Sequence, residues 1–354
     1  MDKLLNPMIE GAWLAQPLLP PPIISTTAYM KRRTVGVPIP SILIRVCAGW
    51  SVCLFCLSAP AAEGSPPDAI PGVVIDRGLS ERAMSAPPPF FAFENGLGLP
   101  PAQLAATLKD LGYDGLSGSG YNVTPLLKEL HARGLKLYNT YLTPQFDDGT
   151  NALTQPMRKL MDDLQGSETV LWLAVPKVAK EGKAFPKSSP EGDEVALARL
   201  RELADYAEPR GVKIALYPHA GFWLEHVEDG LRLANKLNRP SVGATFNLCH
   251  WLKVEGDRDP APVLKAALPR LFFVSLNGAD GGDTRKLDWN QLIQTLDRGS
   301  YDVSAFMRQL RAIGYTGAVG LQCYNVKGDQ KENLQRSMSA WRKITTSQSQ
   351  STQK

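Results

Sequence analysis

Cysteine is scarce in this chain, and its placement excludes two kinds of small stabilised domain. Three of the five cysteines lie before residue 57, and only Cys249 and Cys323 follow. Two cysteines in the remaining chain provide neither a disulfide framework nor the paired spacing of a zinc motif. We expect both to be small buried side chains.

The chain also lacks the signatures of nucleic-acid and dinucleotide binding. Its net charge is +4, but five basic residues against two acidic ones in the first 62 positions carry most of that excess. The charges that follow are interspersed, whereas a nucleic-acid footprint requires basic clustering. No G-x-G-x-x-G motif stands at a strand-to-helix turn, so a dinucleotide-binding fold has no support. We expect no nucleic-acid partner.

No apolar run reaches the ~20 residues that a membrane-spanning helix needs. The clearest run, Val46–Ser58, follows the basic segment Met30–Arg33 (MKRR) and precedes Ala59–Ala62 (APAA), which offers an A-x-A cleavage site after Ala61. This order predicts a leader and secretory signal peptide over residues 1–62, and therefore a periplasmic or extracellular protein. An uncleaved N-terminal membrane anchor is the alternative. After cleavage no stable membrane span is expected.

Composition sets the remaining boundaries. Residues 63–88 are rich in proline, alanine, serine and glycine and are typical of a linker, and residues 345–354 are polar and predict a disordered tail. Residues 89–344 are left as one domain. That length matches the ~250 residues of a (β/α)₈ barrel.

Within residues 89–344, short apolar runs alternate with segments of helical periodicity. Such runs predict strands of a parallel sheet that is buried on both faces. Glycines that follow the helices, such as Gly112 and Gly314, match the position just past a helix C-terminus. Eight alternations favour an α/β fold of the (β/α)₈ TIM barrel type. The predicted strands are Pro89–Glu94, Gly115–Ser119, Leu135–Tyr141, Val170–Val175, Val212–Tyr217, Val242–Asn247, Leu271–Asn277 and Ala318–Gln322.

Polar side chains stand where these strands end, which is where such barrels place their active sites. Amides there must find hydrogen-bond partners, and sugar hydroxyls can supply them. The alternative is that the amides only tie down the loops that follow. The candidate substrate-binding residues are Asn139, Tyr217, Trp223, Asn247, Asn277, Gln322 and Tyr324.

Two of the four histidines, His219 and His250, follow neighbouring strands, and Glu94 ends the first strand. We predict these three as candidate acid/base groups. His131 and His226 fall at helical positions, and we interpret both as surface residues. Aromatic residues near the same strand ends, including Trp223 and Trp289, would either stack on a sugar or cap the barrel.

Several segments resemble one family. They are the repeated Gly112–Gly115 (GYDG) and Gly314–Gly317 (GYTG), the strand ends Ala215–His219 (ALYPH) and Phe246–His250 (FNLCH), and Leu296–Asp302 (LDRGSYD). Together they resemble the xylose-isomerase-like TIM barrels of the sugar phosphate isomerase/epimerase superfamily. The resemblance covers nearly the whole predicted barrel.

The resemblance implies a divalent metal held by Glu, Asp, His and Glu on strands five to eight, which polarises a sugar while carboxylates move a proton. The corresponding positions here are Tyr217, Asn247, Asn277 and Gln322, and none of them matches. Mg²⁺ and Mn²⁺ require carboxylate oxygens, so we expect no metal and no other cofactor. His250 does match a substrate-contacting histidine of the family.

The sequence therefore predicts an exported protein that is similar to sugar isomerases and epimerases. It would act on a small unphosphorylated carbohydrate by proton transfer, without the usual metal. A non-catalytic sugar-binding pseudoenzyme and a carbohydrate lyase or hydrolase on the same barrel are the alternatives. A zinc endonuclease of the superfamily would need more acidic and histidine ligands and a basic groove. The sequence does not indicate an oligomeric state.

Overall fold

A computed structural model describes residues 87–93 and 97–351 of the chain. The predicted signal peptide, nearly all of the predicted linker, and Glu94 lie outside the described residues. The last three residues also lie outside them.

Eight parallel strands close into a barrel, in which each strand pairs with the barrel strands that precede and follow it in the chain and the last strand pairs with the first. Both faces of this sheet are buried, so its strands are rich in apolar residues. That apolar character made the α/β barrel recognisable in the sequence. The predicted bounds are confirmed to within two residues. The barrel strands are β1 (Phe90–Phe93), β2 (Gly115–Ser119), β3 (Lys136–Leu142), β5 (Val170–Leu173), β8 (Lys213–Leu216), β9 (Val242–Asn247), β10 (Leu271–Leu276) and β11 (Ala318–Leu321).

Aromatic side chains fill the interior of the barrel. The Phe91 ring stacks on Tyr138 at 4.4 Å, and the Trp172 ring lies edge-on to Phe93 at 5.1 Å and to Phe273 at 5.2 Å. Gly320 on β11 makes room for this layer, because a Cβ atom there would lie 2.8 Å from the Phe91 and Phe93 rings. The centre of the barrel is a packed core, and the strand ends above it are the place for a site.

Helices follow the strands and cover the outside of the barrel. Apolar residues at spacings of three and four put one face of each helix against the sheet. Gly112 ends the first helix with a left-handed φ of 88°, as its position in the sequence predicts. The helices are α1 (Pro101–Leu111), α2 (Thr124–His131), α3 (Gln155–Asp163), α4 (Asp193–Ala207), α5 (Val227–Leu237), α6 (Leu248–Glu255), α7 (Ala261–Ala267), α8 (Trp289–Leu292), α9 (Val303–Ala312) and α10 (Gln330–Ser351).

A second, small sheet joins three short strands: β4 (Phe146–Asp147), β6 (Val178–Lys180) and β7 (Lys183–Ala184). It links the loops that follow β3 and β5, since β4 pairs with β6 in parallel. Sequence patterning does not predict it, because strands of two or three residues are too short to show a period.

The last helix continues beyond the predicted end of the domain. We expected a disordered tail from Thr345, but α10 extends to Ser351 and the Thr345 side chain is buried. Trp341 on this helix stacks on Phe90 at 4.2 Å, and the Thr345 hydroxyl donates to the Trp341 carbonyl oxygen. Packing against the barrel therefore stabilises a segment whose composition alone is that of a disordered chain.

Cys249 and Cys323 are both buried, as expected. Within the described part of the chain, none of the helices has the length and apolarity needed to cross a bilayer.

Candidate functional site

Four neighbouring strands deliver the positions that the family resemblance assigns to metal ligands. Tyr217 follows β8, Asn247 ends β9, Asn277 follows β10 and Gln322 follows β11. Because parallel strands end at one edge of the barrel, all four positions lie at that edge. Each of them is at most 5% exposed.

Tyr217 connects three of these four positions. The Asn247 amide donates to the Tyr217 hydroxyl over 3.0 Å, and the Gln322 side chain also hydrogen-bonds to this phenol. Burial raises the pKa of Tyr217 well above its usual value, so the group stays an uncharged phenol at neutral pH. We call Tyr217, Asn247 and Gln322 the neutral cluster.

The amides are also engaged by the loops that follow their strands. The Asn247 side-chain oxygen accepts backbone N–H bonds from Cys249 and His250 and caps α6. The Asn277 amide donates to the carbonyl oxygens of Gly278 and Leu292, and the Gln322 side-chain oxygen accepts from the Tyr324 amide. These contacts match the alternative considered from the sequence, in which the amides tie down loops. The Asn277 side-chain oxygen is buried without a partner among the described residues.

His219 and His250 do come together, as predicted. Their ring centroids are 4.0 Å apart, and both rings lie edge-on to Tyr217 at 5.6 and 5.4 Å. The His219 ring also stacks on Phe222 at 4.0 Å. The pair therefore lies within an aromatic environment.

Hydrogen bonds define the tautomers of this histidine pair. His219 Nδ1 lies 3.1 Å from the Ala220 carbonyl oxygen, which can only accept, so His219 carries its proton on Nδ1. The Ala220 backbone N–H donates to His250 Nδ1 over 3.3 Å, so His250 carries its proton on Nε2. Within the described chain, no hydrogen bond joins His250 to a carboxylate.

Burial keeps both imidazoles uncharged. It lowers the pKa of His219 to about 4. Burial, together with the neighbouring His219, lowers the pKa of His250 well below its usual value. Each shift has the sign expected when a cationic form is removed from water. Both rings are therefore neutral at pH 7.

The other predicted site residues occupy three different settings. Asn139 is fully buried on β3, where its side-chain oxygen accepts from the Ser117 hydroxyl. Trp223 is only 2% exposed and packs over Gly192, so it presents no open face to a sugar. Tyr324 remains partly exposed next to Gln322. Glu94 lies outside the described residues, so its predicted role stays a prediction.

An open pocket of about 550 Å³ lies beside the histidine pair, and we call it the rim pocket. Ala220 lines this pocket and also donates its backbone N–H to His250. Trp289, on the pocket wall, lies edge-on to the His250 ring with the ring centroids 5.3 Å apart. The pocket is lined by Ala220, Gly221, Glu225, His226, Lys253, Val254 and Trp289.

The rim pocket contains residues that the sequence did not single out. His226, interpreted above as a surface residue, caps α5 and places its Nδ1 2.5 Å from a Glu255 carboxylate oxygen. Lys253 lies three residues after His250 on α6, which is one helical turn. That spacing is the one signal that could have associated Lys253 with the site.

The donor set does not fit the divalent metal that the resemblance implies. A phenol and three amides stand at these four positions, whereas Mg²⁺ and Mn²⁺ need charged oxygen ligands to offset dehydration. The described residues also contain no group of three or more His, Cys, Asp or Glu side chains that could hold a metal ion.

Residues 159–344 match the family model of the xylose isomerase-like TIM barrel, which is more than half of the chain. The chain belongs to this family. The match spans β5 to α10 and includes the neutral cluster and both histidines.

Two curated relatives match part of the chain. The chain is 27% identical over 139 residues to a 3-dehydroshikimate dehydratase of Pseudomonas putida and 26% identical over 128 residues to one of Pseudomonas aeruginosa. The first match covers 38% of this chain and 21% of the relative, the second 36% and 20%, so the chain spans about a fifth of the length of these relatives.

Two solved structures resemble the barrel over nearly their full length. The 3-keto-D-glucoside 4-epimerase of E. coli is 18% identical with a TM-score of 0.56, and the match covers 73% of this chain and 99% of that one. The D-allulose 3-epimerase of Methylomonas sp., in complex with D-allulose, is 17% identical with a TM-score of 0.55 and coverages of 73% and 96%. At these identities the likeness establishes the fold.

Proposed function

We propose that this barrel binds a small unphosphorylated carbohydrate at the rim pocket and does so without the metal-assisted proton transfer of its family. The neutral cluster is the observation that carries the proposal. Where a metal-dependent relative needs anionic ligands, this chain has a protonated phenol hydrogen-bonded to amides.

The histidine pair supports binding more than proton transfer. A general base works best when its pKa lies near the operating pH. The pKa of His219 is about 4, so its neutral ring is a weak base at pH 7. An imidazolium formed by proton abstraction would be charged in a desolvated position, and no metal would stabilise the enediolate.

The rim pocket offers the contacts that a sugar needs. Trp289 is 40% exposed and gives a ring face for stacking, while Glu225, His226 and Lys253 supply hydrogen-bonding groups around it. The D-allulose complex and the epimerase among the solved relatives agree with a carbohydrate as the ligand class. The signal-peptide pattern supports an exported protein, and sugars outside the cytoplasm are mostly unphosphorylated.

A second candidate is a metal-independent isomerase, epimerase or lyase that uses His219, His250 and Glu94. One observation favours it. The two ring centroids are 4.0 Å apart and the tautomers are complementary, because His219 carries its proton on Nδ1 and His250 carries its proton on Nε2. The dehydratase and epimerase relatives agree with such chemistry.

Sugar binding is tested by calorimetric titration of the full chain with neutral and acidic monosaccharides in the presence of EDTA. We expect at least one sugar to bind, and Trp289→Ala to weaken it about tenfold, which corresponds to ~1.4 kcal/mol. Trp289→Tyr should retain most of the affinity because it keeps an aromatic face. Absence of binding by every sugar tested would contradict the proposal.

Proton NMR of the bound sugars in D₂O separates the two candidates. A binding protein leaves the C–H signals intact. Exchange of a sugar C–H for deuterium that is lost in His250→Gln would establish the second candidate instead.

A further inference from the structure

Lys253 holds an uncompensated positive charge in the rim pocket. Its Nζ donates to the backbone carbonyl oxygens of Arg285 and Leu287 over 3.0 and 2.8 Å. Within the described chain, its ammonium forms no ion pair with a carboxylate, and one of its three N–H donors is not used by these two bonds. The two carbonyl groups fix the ammonium at the pocket wall.

The acidic residues nearby already have their own partners. Glu225 accepts from the Gly221 amide over 2.6 Å and pairs with Lys187 at 3.3 Å. Glu255 pairs with Arg258 at 3.1 Å and contacts His226 at 2.5 Å. The Lys253 ammonium is therefore the charged group of the rim pocket that would interact with a ligand.

An aromatic face lies next to this charge. The Lys253 Nζ atom is 5.8 Å from the centroid of the Trp289 ring, which is partly exposed to solvent. A neutral monosaccharide would use the ring face but would leave the ammonium without a counter-charge. A sugar that carries a carboxylate would use both groups.

We propose that the ligand of the rim pocket is a sugar acid of the uronate type, with its carboxylate on Lys253 and its ring against Trp289. This inference rests on the proposed carbohydrate-binding function and names the class of ligand. A carboxylate fits better than a phosphate, because a phosphate dianion would meet one ammonium with a single unused N–H and would face Glu225 in the same pocket.

Calorimetric titrations of the full chain with D-glucuronate, D-galacturonate, D-glucose, D-galactose and D-glucose 6-phosphate test the inference. In the unmodified chain we expect at least one uronate to bind at least tenfold tighter than its neutral parent sugar. Added salt should reduce that preference, since the contact is electrostatic. In Lys253→Met the preference should disappear, whereas Lys253→Arg should retain most of it.

The neutral parent sugar controls for damage to the loop that Lys253 holds, because Lys253→Met should cost the uronate at least tenfold more affinity than it costs the neutral sugar. Equal binding of the acidic and neutral sugars, or tighter binding of the phosphate, would overturn the sugar-acid inference and leave carbohydrate binding in place. A preference that survives in Lys253→Met would overturn it as well. If none of the five probes binds, the proposed function fails and the inference fails with it.

Discussion

Replacing Trp172 by alanine should lower the free energy of unfolding by roughly 3–5 kcal/mol, the range found when large aromatic side chains are removed from cores. The Trp172 ring stacks on Tyr217 at 3.9 Å, and its Nε1–H donates to the Thr245 hydroxyl over 2.9 Å. It joins the aromatic core to the neutral cluster, so the cavity left behind would lie directly beneath the site.

Urea denaturation of the full chain measures this loss. Trp172→Phe should cost less, because it keeps an aromatic ring in the layer and loses only the indole hydrogen bond. Trp289→Ala serves as the matched control, and its effect should stay within about 0.5 kcal/mol because the residue is exposed. Equal losses for Trp172→Ala and Trp289→Ala would show that the barrel interior is not packed as described.

Acidification should destabilise the fold through the histidine pair. In the unfolded chain a histidine titrates at a pKa of about 6.5. Folded His219 has a pKa of about 4, so between these values the unfolded state binds a proton that the folded state does not. The contribution of His219 to the free energy of unfolding is therefore fully present above about pH 6.5 and is lost as the pH falls toward 4. Below pH 4 this contribution does not change further.

For His219 alone the free energy of unfolding should fall by about 2 kcal/mol between pH 7.5 and pH 5. The lowered pKa of His250 adds a loss of the same sign. Urea midpoints across this range measure the slope, and the double variant with His219→Gln and His250→Gln should flatten it. His131→Gln is the control, since His131 is exposed on α2. A slope that is the same in the double variant and in the unmodified chain would contradict the neutral, buried pair.

The barrel could be predicted from the sequence because most of its strands are largely apolar runs of four to seven residues between recognisable helices. The small sheet and the end of α10 could not. Strands such as Lys183–Ala184 have no period to detect, and composition does not show that Trp341 of α10 stacks on Phe90 of the barrel.

The candidate site could be predicted only in part. Strand order alone brings Tyr217, Asn247 and Gln322 to one edge, and the pairing of His219 with His250 follows from neighbouring strands. What each side chain bonds to was not predictable. The polar groups of Asn277 and Lys253 are directed by the path of the long loop after β10, and no pattern in the sequence specifies that path.

We propose that a neutral hydrogen-bonded cluster stands where the family resemblance implies a metal site, and the metal content of the protein is the decisive measurement. Elemental analysis of the full chain, purified without chelator in buffers supplemented with Mn²⁺, Mg²⁺ and Zn²⁺, should find far less than one metal ion per chain. EDTA should leave the urea midpoint unchanged. One equivalent of Mn, Mg or Zn that survives dialysis, and whose removal lowers that midpoint, would contradict the account.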